Sequence, residues 1–199
     1  MLITAGMGLL AACGSDAGSR DTPDTARLLA AEDSAYAVEQ GGAIAGAIAT
    51  GLVQRLQAEL ATGGAAGAVD FCARTALTLT DSLVADQPAG TAVRRTSTRI
   101  RNPSNAPDDL ESVALAWFDS VHAATGAIPQ SLVQDAGPEE VRFYRPLVVQ
   151  PFCTQCHGPV DELAPGVQAI LEQRYPDDRA TGYRDGDLRG VIRVSLPRR

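Results

Sequence analysis

Lysine is missing from the 199 residues, so all 17 basic side chains are arginines. That absence removes Schiff-base chemistry and the phosphate-gripping lysine of a P-loop. The arginines are outnumbered by 24 acidic residues, which leaves a formal net charge of −7 and a sequence pI near 4.8. Nucleic acid is therefore not an expected partner, because phosphate binding draws on a basic face. Aromatic residues make up only 5% of the chain. The core must then be built mainly from Ala, Val, Leu and Ile, with the single tryptophan, Trp117, expected inside it. At 45% hydrophobic residues, the chain still has enough apolar surface to fold. Four Cys, two His and two Met are all that is available for site chemistry. No acid/base constellation stands out, and a non-enzymatic role is expected.

Apolar runs are equally scarce. Residues 1–12 (MLITAGMGLLAA) form one, too short for the roughly 20 residues that span a bilayer. It ends in Ala11-Ala12-Cys13 and gives way to GSDAGSRDTPD. Small residues beside a cysteine suit signal cleavage, so residues 1–12 read as a lipoprotein signal peptide and Cys13 as the lipidated new terminus. A cleaved secretory signal, or a buried apolar helix with a free Cys13, are the rival readings. The first two export the protein, so an extracytoplasmic or periplasmic, membrane-anchored lipoprotein is expected. Residues 13–27 are small and polar and read as a tether.

From Leu28 to Ala61 apolar residues keep helical spacing, suggesting one long helix or two that abut at Gly41-Gly42. Gly63-Gly64 marks a break, and Ala65 to Val84 reads as a second helix with Cys72 on its apolar stripe. Thr91–Arg101 (TAVRRTSTRIR) alternates and predicts a strand. A helix from Ala106 to His122, capped by Asn105, is expected next. Val141–Val149 predicts a strand whose second half, carrying Pro146, lies at an edge or an end. Val160–Gln173 predicts a helix and Leu188–Leu196 a last strand. Helices first, then strands mixed with short helices, point to an α+β fold on an antiparallel sheet.

Cys153-Thr154-Gln155-Cys156-His157 is the C-x-x-C-H pattern of covalent c-type haem attachment. Two thiols three positions apart suit the two haem vinyl groups, and the adjacent imidazole suits the iron. A thioredoxin-like dithiol has no use for the histidine. A zinc site completed by Cys72 and His122 would need adjacent Cys156 and His157 both to reach one tetrahedral ion. One motif implies one haem c, and attachment outside the cytoplasmic membrane agrees with export.

The second axial ligand stays open on the residues alone. Met1 and Met7 precede Cys13 and would leave with the signal, and lysine is absent. His122, Cys72, a tyrosine, water or no ligand remain. Cys72 would be a lone thiol in an oxidising compartment, and so either buried or bound.

The chain resembles a family of single-haem c-type cytochrome domains with a PAS-like fold, first described from a cyanobacterial protein and also found as sensory modules of signalling proteins. The residues that carry the resemblance are AVDFCARTA around Cys72, VRRTSTRIRNPSNAPDD from Val93, FYRPLVVQPFCTQCHG from Phe143 and YPDDRATGYRDGDLRGVIRVSLP from Tyr175. It implies a PAS-like antiparallel sheet flanked by helices over residues 28–199, preceded within that span by N-terminal helices at 28–62. It also implies iron held between His157 and the thiolate of Cys72. Beside a haem, Arg95, Arg99 and Arg101 on one strand face would suit the propionates, although a solvated charged face needs no function.

These readings give a lipid-anchored, single-haem c-type cytochrome of low potential that transfers one electron at a time. A haem-based redox or diatomic-gas sensor is the alternative, and a non-haem structural or metal-binding lipoprotein the third. The expected partners are a redox protein, the membrane through the anchor and, for a dimer, a second copy of the chain.

Overall fold

The computed structural model describes residues 29–84 and 87–199, with side chains described for 29–73 and 87–199. Cys13, the expected signal and the tether lie outside the described residues.

The chain opens with α1 (Ala31–Tyr36), a π-helical turn (Ala37–Gly41) and α2 (Gly42–Val84). The expected break is present: Gly64 takes φ 62° and ψ −170° inside α2, a left-handed region that favours glycine. It divides α2 by destination. Before the break, Ile44, Ala45 and Ile48 pack on the sheet. After it, Ala65 and Val69 pack on Val167 and Leu171 of α5 (Pro165–Arg174). Close approach at the other end also depends on glycine, since a Cβ on Gly41 would lie 2.5 Å from the Cβ of Phe143.

Among the described residues the sheet has four strands, β1 (Ala92–Thr96), β2 (Leu132–Asp135), β3 (Glu140–Val148) and β4 (Leu188–Pro197). All pairings are antiparallel, in the order β1-β4-β3-β2. The α+β expectation holds. The last strand of the chain is a central one, paired on both sides. Pro146 lies where expected: β2 pairs β3 only from Val141 to Tyr144, so among the described residues the second half of β3 has no strand partner on that side.

Period-two alternation sends Val141, Phe143, Ile192, Val194 and Leu196 to the α2 face. Tyr144 and Val191 point the other way, onto Ala114, Leu115 and Phe118 of α3 (Asp109–Thr125). Three expectations change here. The α3 cap is Asp108, not Asn105: its carboxylate accepts from Glu111 N–H at 2.7 Å while Glu111 accepts from Asp108 N–H at 2.9 Å. Asn105 instead ends a short 3-10 turn capped by Asn102. Trp117 is not core. It is 37% exposed, and Phe118 beside it is the buried ring. The helix expected from Val160 begins at Pro165, which occupies the first turn, where the missing N–H of proline costs nothing.

The α3 face of the sheet is charged as well as apolar. Arg142 bonds Asp108 at 2.8 Å and Glu140 at 2.9 Å, and the Ser195 hydroxyl donates to Glu140. Partial burial alone would raise both carboxyls. For Asp108, the Glu111 N–H and the Arg142 guanidinium outweigh it; for Glu140, Ser195 and Arg142 do, so both sit below the usual range. Both acids are therefore harder to protonate folded than unfolded. Their stabilisation is complete above the unfolded carboxyl values of about 4 and is lost as pH falls through the lower folded values. Thermal midpoints are expected to fall below about pH 4, and Asp108→Asn should flatten that acid limb. An unchanged limb would contradict the assignment.

Candidate functional site

The C-x-x-C-H segment is shaped locally. Pro151 opens a 3-10 turn (Pro151–Cys153) that runs into α4 (Thr154–His157). The Thr154 hydroxyl donates to the Pro151 carbonyl at 2.7 Å, and Gly158 N–H closes on the Thr154 carbonyl at 2.8 Å. Cys153 packs beside Val149, Ala180 and Tyr183, whereas Cys156 packs toward Val69, Leu163 and Val167. None of Cys72, Cys153 and Cys156 is in a disulfide. Burial, against the pull of Arg101, pushes the Cys156 thiol up to about 11.

His157 is held from behind. Its Nδ1 lies 2.6 Å from the Ala180 carbonyl. A carbonyl can only accept, so Nδ1 carries the proton and Nε2 keeps the lone pair. That is the tautomer a metal ligand needs. Tyr183 N–H donates to the His157 carbonyl at 2.8 Å and Gly182 N–H to the Gly158 carbonyl at 2.7 Å. The Tyr183 ring meets the imidazole edge-on, with centroids 6.3 Å apart. Burial first, then the charges of Arg101 and Arg189, hold the His157 pKa well below 6.5. The imidazole is neutral at pH 7.

The second half of α2 brings Cys72 to this place. The thiol lies within electrostatic reach of Cys156, and both Arg95 and Arg101 act to lower its pKa, although burial dominates and raises it. Cys72 and the motif are 81 positions apart (153 − 72), and the kink at Gly64 is what turns the helix toward α5 and α4. His122 goes elsewhere. It lies in the last turn of α3, where its carbonyl accepts from Gly126 N–H at 2.8 Å. Among the described residues no three His, Cys, Asp or Glu side chains converge where a bare ion could sit. A zinc site from the motif, Cys72 and His122 is thus not assembled.

The arginines divide differently from expectation. The strand ends at Thr96, so Arg99 and Arg101 follow it and do not share a strand face with Arg95. Ser97 makes the bend: its hydroxyl donates to the Arg189 carbonyl at 2.7 Å and accepts from Arg99 N–H at 3.1 Å. Arg95 stays on β1 near Cys72, which opposes the lowering that burial imposes on its guanidinium. Arg94 points to the other face, onto the Ser104 and Ala106 carbonyls at 3.1 and 2.9 Å. Arg101 is engaged with Asp178 at 2.9 Å. Arg99 lies 3.9 Å over the Tyr183 ring.

Arg189, unnoticed in the sequence, lies on the same ring at 5.4 Å and donates to the Arg99 carbonyl at 3.1 Å. Its Nε is buried without a hydrogen-bond partner. Burial lowers its pKa, with Tyr183 opposing. Three guanidinium groups, Arg99, Arg101 and Arg189, act on His157, and Asp178 is the acid paired with one of them. Half-buried cations that outnumber the acids beside them favour an anion. Two motif thiols, a neutral imidazole protonated on Nδ1, a third thiol near Cys156 and neighbouring guanidinium groups fit a haem, whose needs are thioether, axial and carboxylate partners.

A family model described as Tll0287-like matches residues 22–197. A solved structure described as the cyanobacterial heme-protein Tll0287 is similar at 29% identity, with a TM-score of 0.53, covering 75% of this chain and 92% of that one. Among curated proteins none matches the chain.

Proposed function

The chain belongs to the Tll0287-like family, and from that premise we propose that it is a single-haem c-type cytochrome that transfers one electron at low potential. Supporting the haem is the convergence of Cys153, Cys156 and a correctly protonated His157 with Cys72. The similar solved protein is itself described as a heme-protein.

In this reading Cys153 and Cys156 hold the porphyrin by thioethers, and His157 Nε2 and Cys72 Sγ hold the iron. Arg99 and Arg189 are the carboxylate partners; Arg95 faces the Cys72 charge, and Arg101 adds its field nearby. When bound, the group supplies an Fe(III)/Fe(II) couple, and a thiolate ligand favours the ferric side. The chain's own contribution is a fixed imidazole, a desolvated thiol and a cationic surround. Ala180 holds the Nδ1 proton. Arg95 and Arg101 favour the thiolate form of Cys72, which burial opposes. We also propose export, lipidation at Cys13 and a protein redox partner, in keeping with c-type attachment outside the cytoplasmic membrane.

Potentiometry of the matured protein tests this. A single one-electron wave, well below that of a Met-ligated cytochrome, is expected. A ferrous form that loses its axial thiolate and binds CO rapidly would favour a gas or redox sensor. Absence of any reversible wave would contradict electron transfer.

A further inference from the structure

We propose that Arg101 and Asp178 form a latch that aims the Ala180 carbonyl at His157, making both of them positioning residues of the site. The inference deepens the proposed function and rests on His157 as a ligand. The two side chains are only 13% and 9% exposed and meet at 2.9 Å. Each then makes a further link. Asp178 Oδ1 accepts from Ala180 N–H at 2.7 Å. Arg101 Nη2 donates to the Cys156 carbonyl at 2.6 Å and approaches the Ala180 carbonyl at 3.4 Å. The pair thus joins the motif helix to the segment 175–183, which has no regular secondary structure of its own.

Backbone bonds fix that segment on either side of Ala180, through Arg179 N–H on the Ile100 carbonyl at 3.0 Å and Tyr183 N–H on the His157 carbonyl at 2.8 Å. The direction of the Ala180 carbonyl between them is left to the latch. That carbonyl is the acceptor of the His157 Nδ1 proton. A ligating imidazole takes its tautomer and orientation from such an outer partner. On a helix or strand the partner would be held by its ladder. Here a side-chain pair does the holding, and a buried pair that loses one member leaves an uncompensated charge.

The test reads the tautomer directly, in the full chain without haem. With two histidines in the chain, ring-nitrogen NMR of histidine-labelled protein needs only His122→Gln for assignment. In the wild type His157 is expected as the Nδ1–H form at neutral pH. Arg101→Gln and Asp178→Ala should convert it to a mixture with the Nε2–H form, and the double variant should go no further than the larger single one, because the two act as a unit. Should Asp178→Ala fail to fold, Asp178→Asn, which keeps an oxygen for Ala180 N–H, is expected to give a smaller shift in the same direction.

In matured protein the midpoint potential of the same variants should move while haem stays covalently attached. Folded variants that keep the pure Nδ1–H form and the wild-type midpoint would overturn the latch. A matured wild type without covalent haem would instead defeat the functional reading, and leave the tautomer result to decide the latch by itself.

Discussion

A chain carrying both Cys153→Ala and Cys156→Ala, matured with the c-type machinery, is expected to retain no haem after denaturation, whereas the wild type keeps one haem per chain. Coordinate bonds to iron from His157 and Cys72 would not survive unfolding, whereas thioethers would. The two cysteines face different surroundings, Cys153 toward Ala180 and Tyr183 and Cys156 toward the α2–α5 contact. Each single variant should therefore keep one attachment point, with a lower yield of haem-bearing protein. Intact mass and a haem stain of the denatured chain read the result. Haem remaining on the double variant would remove the motif from the account.

Glu111→Ala is expected to destabilise the domain by about 3–5 kcal/mol. The Glu111 side chain is fully buried, and it meets Arg193, 9% exposed, at 3.0 Å and Arg94 at 3.5 Å. It also completes the α3 capping box by accepting from Asp108 N–H. Removing it leaves Arg193, buried between β4 and α3, with Glu140 at 3.6 Å as its remaining acid partner, and opens the capping box. For a domain of this size the loss corresponds to a fall in Tm on the order of 10 °C. Glu111→Leu combined with Arg193→Leu should recover much of that, because an apolar pair replaces a buried ionic one at little cost. Urea unfolding of the three proteins decides it. A change in unfolding free energy within about 0.5 kcal/mol, as at an ordinary surface site, would refute the role given to Glu111.

What the sequence made legible was whatever chemistry is local. C-x-x-C-H is contiguous, and Gly63-Gly64 interrupts a helix by backbone preference alone. Val141 and Phe143 in β3, and Ile192, Val194 and Leu196 in β4, recur at period two with a charged or polar residue between them. Misreadings arose where tertiary contacts outvoted local pattern. TAVRRTSTRIR keeps alternating past Thr96, yet the Ser97 hydroxyl bonds the Arg189 carbonyl and turns the chain. That separates Arg99 and Arg101 from the face of Arg95.

Trp117 and Phe118 are neighbours on one helix, so only one could face the sheet, and composition did not say which. The strand β2 is four residues long at an edge, too short to leave a periodic signal. Asp178 and Arg189 lie in a segment that carries the resemblance, but 77 and 90 positions from the arginines they join, and nothing local marks their roles. Only the fold could bring them in. Cys72 is intermediate: its helix was legible, its approach to Cys156 was not, and the family resemblance supplied the expectation.

The central claim is a haem held between His157 and Cys72. The most direct test is the ferric and ferrous optical spectrum of the matured wild type beside Cys72→Ala. The account predicts a low-spin, thiolate-ligated ferric spectrum in the wild type, lost in the variant while the haem remains covalently bound. Identical spectra in the two proteins would contradict it and leave Cys72 as a half-buried thiol that does not hold the iron.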